Sequence, residues 1–308
     1  MTVLRRLALA AASVVVLLGA ASSRLIVRPG RNPAWSDPKR DQGLDFEDVT
    51  FPSQDGVALH GWFIPRAGGG VGPTLVMLHG WPWSRMGTRA TSKLNDLPRS
   101  KPVSLLPLAK AFHDAGYHVL MYDASGFGTS GRRGVYTSGW LEARDTLGAL
   151  TWLDGRAEVD QDRIGAIGFS MGGATLTFVL PQTDRIKAAI SVQPTTPAVF
   201  TPRYGRDLLG PLHALTAPVT ELCYRLAGGP TLRFIRPAMA AVGCRAPILF
   251  VQSRGDRWGS VEDVQDMVDA APGAVDPLYL DLPDRFDGYT HMVNNPQISL
   301  DFFGKYLG

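Results

Sequence analysis

The sequence predicts an α/β protein built on a mostly parallel, doubly wound sheet of about eight strands. Apolar runs bounded by Gly, Pro or Asp recur after residue 46, and most are apolar on both faces, as strands covered by helices are. Helical spacing lies between them, clearest at Ala143, Leu147, Leu150 and Leu153. Alternating strands and helices predict this fold class. The predicted strands are 46–51, 57–64, 74–80, 117–123, 163–170, 187–194, 247–253 and 277–283.

The first two predicted strands differ from the rest in their connection. A Ser-Gln-Asp-Gly turn joins 46–51 to 57–64, which predicts an antiparallel hairpin at one edge of the sheet. The remaining runs are separated by segments long enough to hold a crossover helix. One parallel sheet with a hairpin at its edge is therefore expected over residues 46–308.

Composition limits the classes of protein that the chain can represent. It has 308 residues, of which 45% are apolar and 19% charged, so one large domain with a sizeable core is expected. Its two cysteines, Cys223 and Cys244, cannot form a disulfide framework and do not have C-x-x-C spacing, and whether they pair stays open. The sequence implies no metal and no cofactor.

Charge is divided unevenly along the chain. Residues 1–40 carry a net charge of +6 and the remainder carries −3, which gives the overall +3. A mildly acidic body is poorly suited to binding a phosphate backbone, so nucleic acid is not expected as a partner.

An apolar segment precedes the predicted domain. Residues 7–23 contain no charge and follow Arg5 and Arg6, which is the pattern of a signal peptide or an N-terminal membrane anchor over residues 1–28. Arg24 and Arg28 directly after the run disfavour cleavage and leave the orientation undecided. A buried N-terminal helix is a third interpretation. Residues 29–45 are expected to be a linker, and the protein is expected to be membrane-associated or exported.

One insertion interrupts the alternation of strands and helices. Residues 195–243 separate two predicted strands and are rich in leucine, with Pro211, Pro218 and Gly228-Gly229-Pro230 breaking the pattern. About fifty residues greatly exceed an ordinary connection between helix and strand. We expect short helices there, forming a cap over the carboxyl ends of the strands.

The most informative motif is Gly168-Phe169-Ser170-Met171-Gly172. It follows a predicted strand and precedes a predicted helix, which is the context that a G-x-S-x-G nucleophile elbow requires. A serine at such a turn projects its hydroxyl above the sheet, at a helix N-terminus that favours developing negative charge. The motif predicts Ser170 as a nucleophile.

With this motif, the chain from about residue 46 resembles the α/β-hydrolase superfamily, and more loosely its abhydrolase-domain and serine-aminopeptidase-like branches. The resemblance implies a Ser, acid, His order. Asp256 follows the seventh predicted strand and would be the acid, and His291 follows the last strand and would be the general base. Backbone N–H groups of Trp81 and Met171 would form the oxyanion hole.

Three neighbouring motifs receive structural interpretations. The resemblance implies that His79 shapes the loop before Trp81. Gly126-Phe127-Gly128-Thr129-Ser130-Gly131 resembles the family's turn after the fourth strand more closely than a dinucleotide fingerprint, because Asp145 lies within a predicted helix. In this turn, Ser125 replaces the family's usual arginine, so any ion pair that arginine makes is expected to be absent.

The basic loop over residues 81–102 is open to two interpretations. It is either solvated surface or a contact for anionic lipid head groups or an anionic substrate. Its charged residues are Arg85, Arg89, Lys93, Arg99 and Lys101, against Asp96.

Together these features predict a serine hydrolase that cleaves an ester or related acyl bond through an acyl-enzyme. Its substrate is expected to be a small molecule or lipid-like compound with an apolar acyl or alkyl group, with a membrane surface as a further partner. Cleavage of an amide or peptide, or acyl transfer, would use the same residues. A catalytically silent binding protein on this fold, and a nicotinamide-dependent oxidoreductase, are the alternatives from other classes. The oligomeric state stays open.

Overall fold

The computed structural model describes residues 2–91, 97 and 99–308. Eight strands form one sheet in the order β1-β2-β6-β3-β7-β8-β9-β10, and β4 pairs separately with β5. Among the described residues the strands are β1 (Glu47–Pro52), β2 (Ala58–Ile64), β3 (Gly72–Leu78), β4 (Gly87–Thr88), β5 (Val103–Ser104), β6 (His118–Tyr122), β7 (Val159–Phe169), β8 (Ile186–Val192), β9 (Ile248–Ser253) and β10 (Leu278–Leu280).

The sheet confirms the predicted fold class. From β6 to β10 in this order each pair of adjacent strands is parallel, whereas β2 is antiparallel to both β1 and β6. Each of the eight apolar runs contributes one of its strands. β3, β6 and β9 are buried along their whole length, because helices cover both faces of the sheet.

Helices pack on both faces and at the edges of this sheet. Within the described residues they are α1 (Thr2–Val27), α2 (Pro38–Gln42), α3 (Leu106–Asp114), α4 (Ala143–Asp154), α5 (Met171–Val179), α6 (Pro197–Leu209), α7 (His213–Leu226), α8 (Pro237–Ala241), α9 (Val261–Ala270), α10 (Arg285–Asn294) and α11 (Pro296–Leu307). Two apolar clusters, one on each face, form the core.

The insertion at 195–243 is helical and lies beside the carboxyl ends of the strands. It contains α6, α7 and α8, with 3-10 turns at Gly210–Leu212 and Leu232–Phe234. Phe200 and Tyr204 of α6 pack against Trp81, which follows β3. The insertion therefore covers the loops that carry the predicted site. Cys223 and Cys244 are both free thiols.

The helix α1 extends from the body instead of lying within it. Residues 3–14 are exposed, and the helix is buried only at Gly19 and Ser23, so it is not a buried helix of the core. Val3–Val27 is long and apolar enough to cross a bilayer. An anchor and a signal peptide both fit these properties.

Candidate active site

The backbone at Ser170 forms the sharp turn that the motif predicts. Ser170 follows the last residue of β7 and precedes α5, with φ 52° and ψ −110°. This is a strained conformation for a residue with a side chain. A Cβ at Gly168 would lie 2.2 Å from the Gly172 carbonyl oxygen, and one at Gly172 would lie 2.5 Å from the Leu78 carbonyl oxygen. The glycines are needed because strand and helix approach too closely for side chains.

The loop after β3 lies against the same serine. A Cβ at Gly80 would be 3.3 Å from Ser170 Cβ, and the Gly172 N–H donates to the His79 carbonyl at 3.2 Å. The described part of the chain provides no hydrogen-bond acceptor for the N–H of Trp81 or Met171. Both amides are therefore available to a ligand oxygen beside Ser170, as an oxyanion hole requires.

His79 is a structural residue in this loop. Its Nε2 accepts a hydrogen bond from the Ala124 N–H at 3.0 Å, so its Nδ1 carries the proton that is shared with the Gly80 carbonyl at 2.8 Å. Burial lowers the pKa of His79 below its ordinary value, which keeps the ring neutral. Both ring nitrogens are occupied, so His79 has no free nitrogen for the Ser170 proton.

Asp256 lies in the loop after β9, the position expected for the acid. Its carboxylate is buried and accepts hydrogen bonds from the Trp258 N–H at 3.0 Å and the Gln252 side-chain amide at 3.1 Å. Its cationic neighbour is Arg285, whose Nη2 lies 3.5 Å from Asp256 Oδ2. The partner of the acid is thus an arginine and not a histidine.

The predicted contact of His291 with this acid is not among the contacts of the described residues. His291 belongs to α10, where its ring lies 3.3 Å from the Asn295 side-chain amide and, within the described residues, forms no ion pair with Asp256. His291 follows the last strand as expected, but it lies within a helix, because α10 begins at Arg285. Residues 285 and 289 share one face of a helix, whereas 291 lies about 200° around from 289.

Arg285 and Tyr289 occupy the position where the base was expected. Both are buried, and Arg285 Nε donates to the Tyr289 hydroxyl at 2.9 Å. Burial opposes the arginine's charge, but the Asp256 carboxylate raises the pKa of Arg285 above its ordinary value. Burial raises the pKa of Tyr289, an effect that Arg285 and the nearby Ser170 side chain oppose. Tyr289 is therefore a neutral hydroxyl beside the nucleophile.

A local signal could have located these two residues. Asp284 caps α10 by accepting a hydrogen bond from the Asp287 N–H at 2.9 Å. An Asp followed three residues later by a second acid is a helix-start pattern. From that start, the i, i+4 spacing of Arg285 and Tyr289 puts both on one face and His291 on another.

Two of the four basic residues that the structure describes in the loop over residues 81–102 form ion pairs. Arg85 is buried and pairs with Asp123 at 2.9 Å, and Lys101 pairs with Asp284 at 2.6 Å. Arg89 and Arg99 are exposed, and Lys93 and Asp96 lie outside the described residues. Arg85 thus supplies Asp123 with a cationic partner in a turn that lacks the family's arginine at position 125.

Asp123 organises the glycine-rich turn around itself. Its carboxylate accepts from the Thr129 N–H at 2.9 Å, and a Cβ at Gly128 would lie 2.0 Å from one of its oxygens. The next helix, α4, begins only at Ala143. A dinucleotide fingerprint must open a helix directly, so this turn does not fit that interpretation.

An apolar cavity opens beside Ser170. One part, of about 50 Å³, is lined by Ser170, Met171, Trp81 and Tyr136 together with side chains of α6. A second part, of about 200 Å³, lies beside it between α6, α7 and α1 and shares lining residues with it. A nucleophile with two available amides, facing an apolar cavity, suits attack on the carbonyl of an apolar acyl group.

Comparisons with known proteins agree with the fold. Residues 73–209 match a family model described as the alpha/beta hydrolase fold. An esterase of Pyrococcus furiosus has a TM-score of 0.71 to this chain, with 23% identity, over 92% of this chain and 99% of its own. This chain has the α/β-hydrolase fold.

The curated relatives match only part of this chain. An uncharacterized protein of Mycobacterium tuberculosis is 32% identical over 168 residues, which are 54% of this chain and 52% of the relative. A polyketide transferase of Aspergillus fumigatus is 33% identical over 49% of this chain and 46% of its own. The chain thus spans about half the length of the curated relatives it matches.

Proposed function

We propose that this chain is a hydrolase-type enzyme that cleaves an ester or related acyl bond with Ser170 as nucleophile. The observation that carries the proposal is the strained turn at Ser170, which opens beside the Trp81 and Met171 amides into an apolar cavity. The esterase of similar fold and the polyketide transferase support an acyl-transfer reaction. Water would be the acceptor in hydrolysis, and an alcohol or amine in acyl transfer.

Ser170 needs a group that takes its proton, and the Tyr289 hydroxyl is its neighbour. A hydroxyl has one hydrogen and two lone pairs, and Arg285 Nε uses one lone pair. Ser170 Oγ bonds to the acyl carbon, its proton moves to the Tyr289 oxygen, and the phenolic proton moves to the leaving oxygen or sulfur. The acyl-enzyme and a neutral leaving group result, and the acceptor then repeats the relay.

In this relay the buried ion pair of Arg285 with Asp256 has a chemical role. Arg285 stabilises negative charge on the phenolic oxygen while the protons move, and Asp256 balances the arginine in an apolar surrounding. The relay contains no imidazole, so it lacks a base with a pKa near neutral pH. General bases contribute about 10² to 10⁴ in rate, and we expect turnover to be slower than with a histidine triad.

The test is labelling by an alkyl fluorophosphonate of the full chain in detergent, with Ser170→Ala as the matched control. We expect slow labelling of the wild type and none of Ser170→Ala. Arg285→His introduces an imidazole beside Asp256 and should raise the labelling rate about 10- to 100-fold. Equal labelling of wild type and Ser170→Ala would refute the nucleophile assignment.

One observation favours a second candidate, a protein that binds fatty-acyl carboxylates without turnover. Arg285 Nη1 and Trp81 Nε1 are buried donors with no partner among the described residues. A bound carboxylate would satisfy such donors. Labelling of Arg285→His but not of the wild type would favour this candidate. It also predicts that Arg285→Gln weakens binding of a long-chain fatty acid but not of the corresponding fatty alcohol.

A further inference from the structure

The second part of the cavity has an unusual wall, because the N-terminal helix forms one side of it. Ser22, Leu25 and Ile26 of α1 line it, opposite side chains of α6 and α7. It adjoins the part that holds Ser170, because Ile26, Trp81 and Tyr204 line both. An acyl chain attached to Ser170 that passes between these side chains would extend along the last two turns of α1.

The contact between α1 and α7 is specific. Gly19 allows the two helices to approach, because a Cβ there would lie 2.6 Å from Val219 Cβ. The Thr220 hydroxyl lies 3.1 Å from the Gly19 carbonyl and 3.0 Å from the Thr216 carbonyl of its own helix, and Ser23 is buried one turn further on α1. Small residues four apart, with a threonine hydroxyl at the contact, are typical of helices that associate within membranes.

The outer surface next to this contact is apolar. Leu215, Leu222 and Leu226 of α7 are 59%, 54% and 79% exposed, and their spacing puts them on one face of the helix. The free part of α1, including Leu7, Leu9 and Leu17, is exposed and apolar as well. Such contiguous apolar surface is characteristic of a membrane contact.

We propose that this cavity takes the acyl chain of a bilayer lipid ester, which enters between α1 and the cap. The inference rests on the proposed function, and it adds the source of the substrate and the role of α1 as a wall of its site. The apolar stripe of α7 lies on the bilayer, α1 anchors the domain there, and the acyl chain reaches Ser170 without crossing water.

Two matched substitutions on α1 test the inference. Ser22→Trp fills the part of the cavity away from Ser170, whereas Ser13→Trp changes an exposed position of the same helix. The full chain in phospholipid nanodiscs is treated with ethyl and hexadecyl fluorophosphonates, and the ratio of the two labelling rates is measured. We expect Ser22→Trp to lower the hexadecyl-to-ethyl ratio about tenfold relative to wild type, because each buried methylene contributes to binding. Ser13→Trp should leave this ratio unchanged.

An unchanged ratio in Ser22→Trp, or an equal fall in Ser13→Trp, would overturn the inference. A binding measurement separates it from the failure of the proposed function. If no fluorophosphonate labels the chain, a fluorescent fatty acid is titrated into the Ser170→Ala protein with and without Ser22→Trp. A severalfold weaker affinity with Ser22→Trp would support acyl-chain binding in this part of the cavity, although the proposed function has failed. Equal affinities would exclude both the acyl-chain site and the proposed function.

Discussion

Arg285 is the residue that changes the chemistry most relative to the sequence expectation. An imidazole exchanges a proton near neutral pH, but a guanidinium stays protonated and only donates hydrogen bonds. The raised pKa of Arg285 fixes it further as a cation. In the proposed reaction the proton of Ser170 would therefore pass through another group, and Tyr289 is the hydroxyl that Arg285 contacts there.

Tyr289→Phe tests this relay. Without the phenol, the leaving group is expelled unprotonated, so we expect kcat to fall about 10- to 100-fold for an alkyl ester. A p-nitrophenyl ester, whose leaving group needs no proton, should lose about tenfold less. Comparing kcat for the two esters checks the relay.

The control for this test is His291→Ala, on another face of the same helix, which should keep both rates within about twofold. If Tyr289→Phe lowers kcat equally for both esters, Tyr289 has only a structural role in the site. A large loss in His291→Ala would restore the original hypothesis of a histidine base.

The ion pair of Arg85 with Asp123 predicts a stability difference within one loop. Arg85→Ala leaves the buried Asp123 carboxylate without its cation, which should cost about 3–5 kcal/mol of unfolding free energy. Arg89→Ala removes an exposed arginine of the same loop and should change the free energy of unfolding by less than about 0.5 kcal/mol. Denaturant unfolding of the two variants checks this, and equal effects would contradict it.

At the level of elements, the sequence predicts the strands well because burial on both faces leaves a continuous apolar run. The turn at Ser170 is equally predictable, since Gly168 and Gly172 are required by contacts below 3 Å. The start of α10 is harder to predict from sequence, because its capping residue Asp284 lies among other acids and the buried Arg285 is not part of an apolar pattern. With the helix starting at Arg285, His291 lies on a different face from Arg285 and Tyr289.

The close packing of α1 on α7 gives an element-scale prediction. Gly19→Leu places a side chain where a Cβ already lies within 2.6 Å of Val219, so the helices must separate. We expect faster hydrogen exchange of the amides of α7, measured by mass spectrometry on the full chain in detergent. Ala12→Leu, at an exposed position of α1, is the control and should leave exchange unchanged. Unchanged exchange in Gly19→Leu would mean that α1 does not stabilise the cap.

At the scale of the whole molecule, positive charge lies at both ends of the apolar N-terminal helix. The +6 of residues 1–40 flanks an apolar helix, and the −3 of the remainder belongs to the folded body. Arg24, Arg28 and Arg31 follow the apolar run closely and lie near Arg132, whose pKa burial lowers together with these like charges. We propose that anionic lipid head groups meet this positive end of α1.

This arrangement predicts that the N-terminal helix is retained. Cleavage after Ser23 would remove Gly19 and Ser22 and open the part of the cavity that α1 lines. Expressed with an epitope at its N-terminus, the full chain should keep the epitope, remain in membranes through an alkaline carbonate wash, and show the intact mass. Gly19→Leu is the matched variant, and it should stay membrane-bound because its apolar span is unchanged. A mature protein that begins near residue 24 would contradict the retained anchor and the wall that α1 contributes to the cavity.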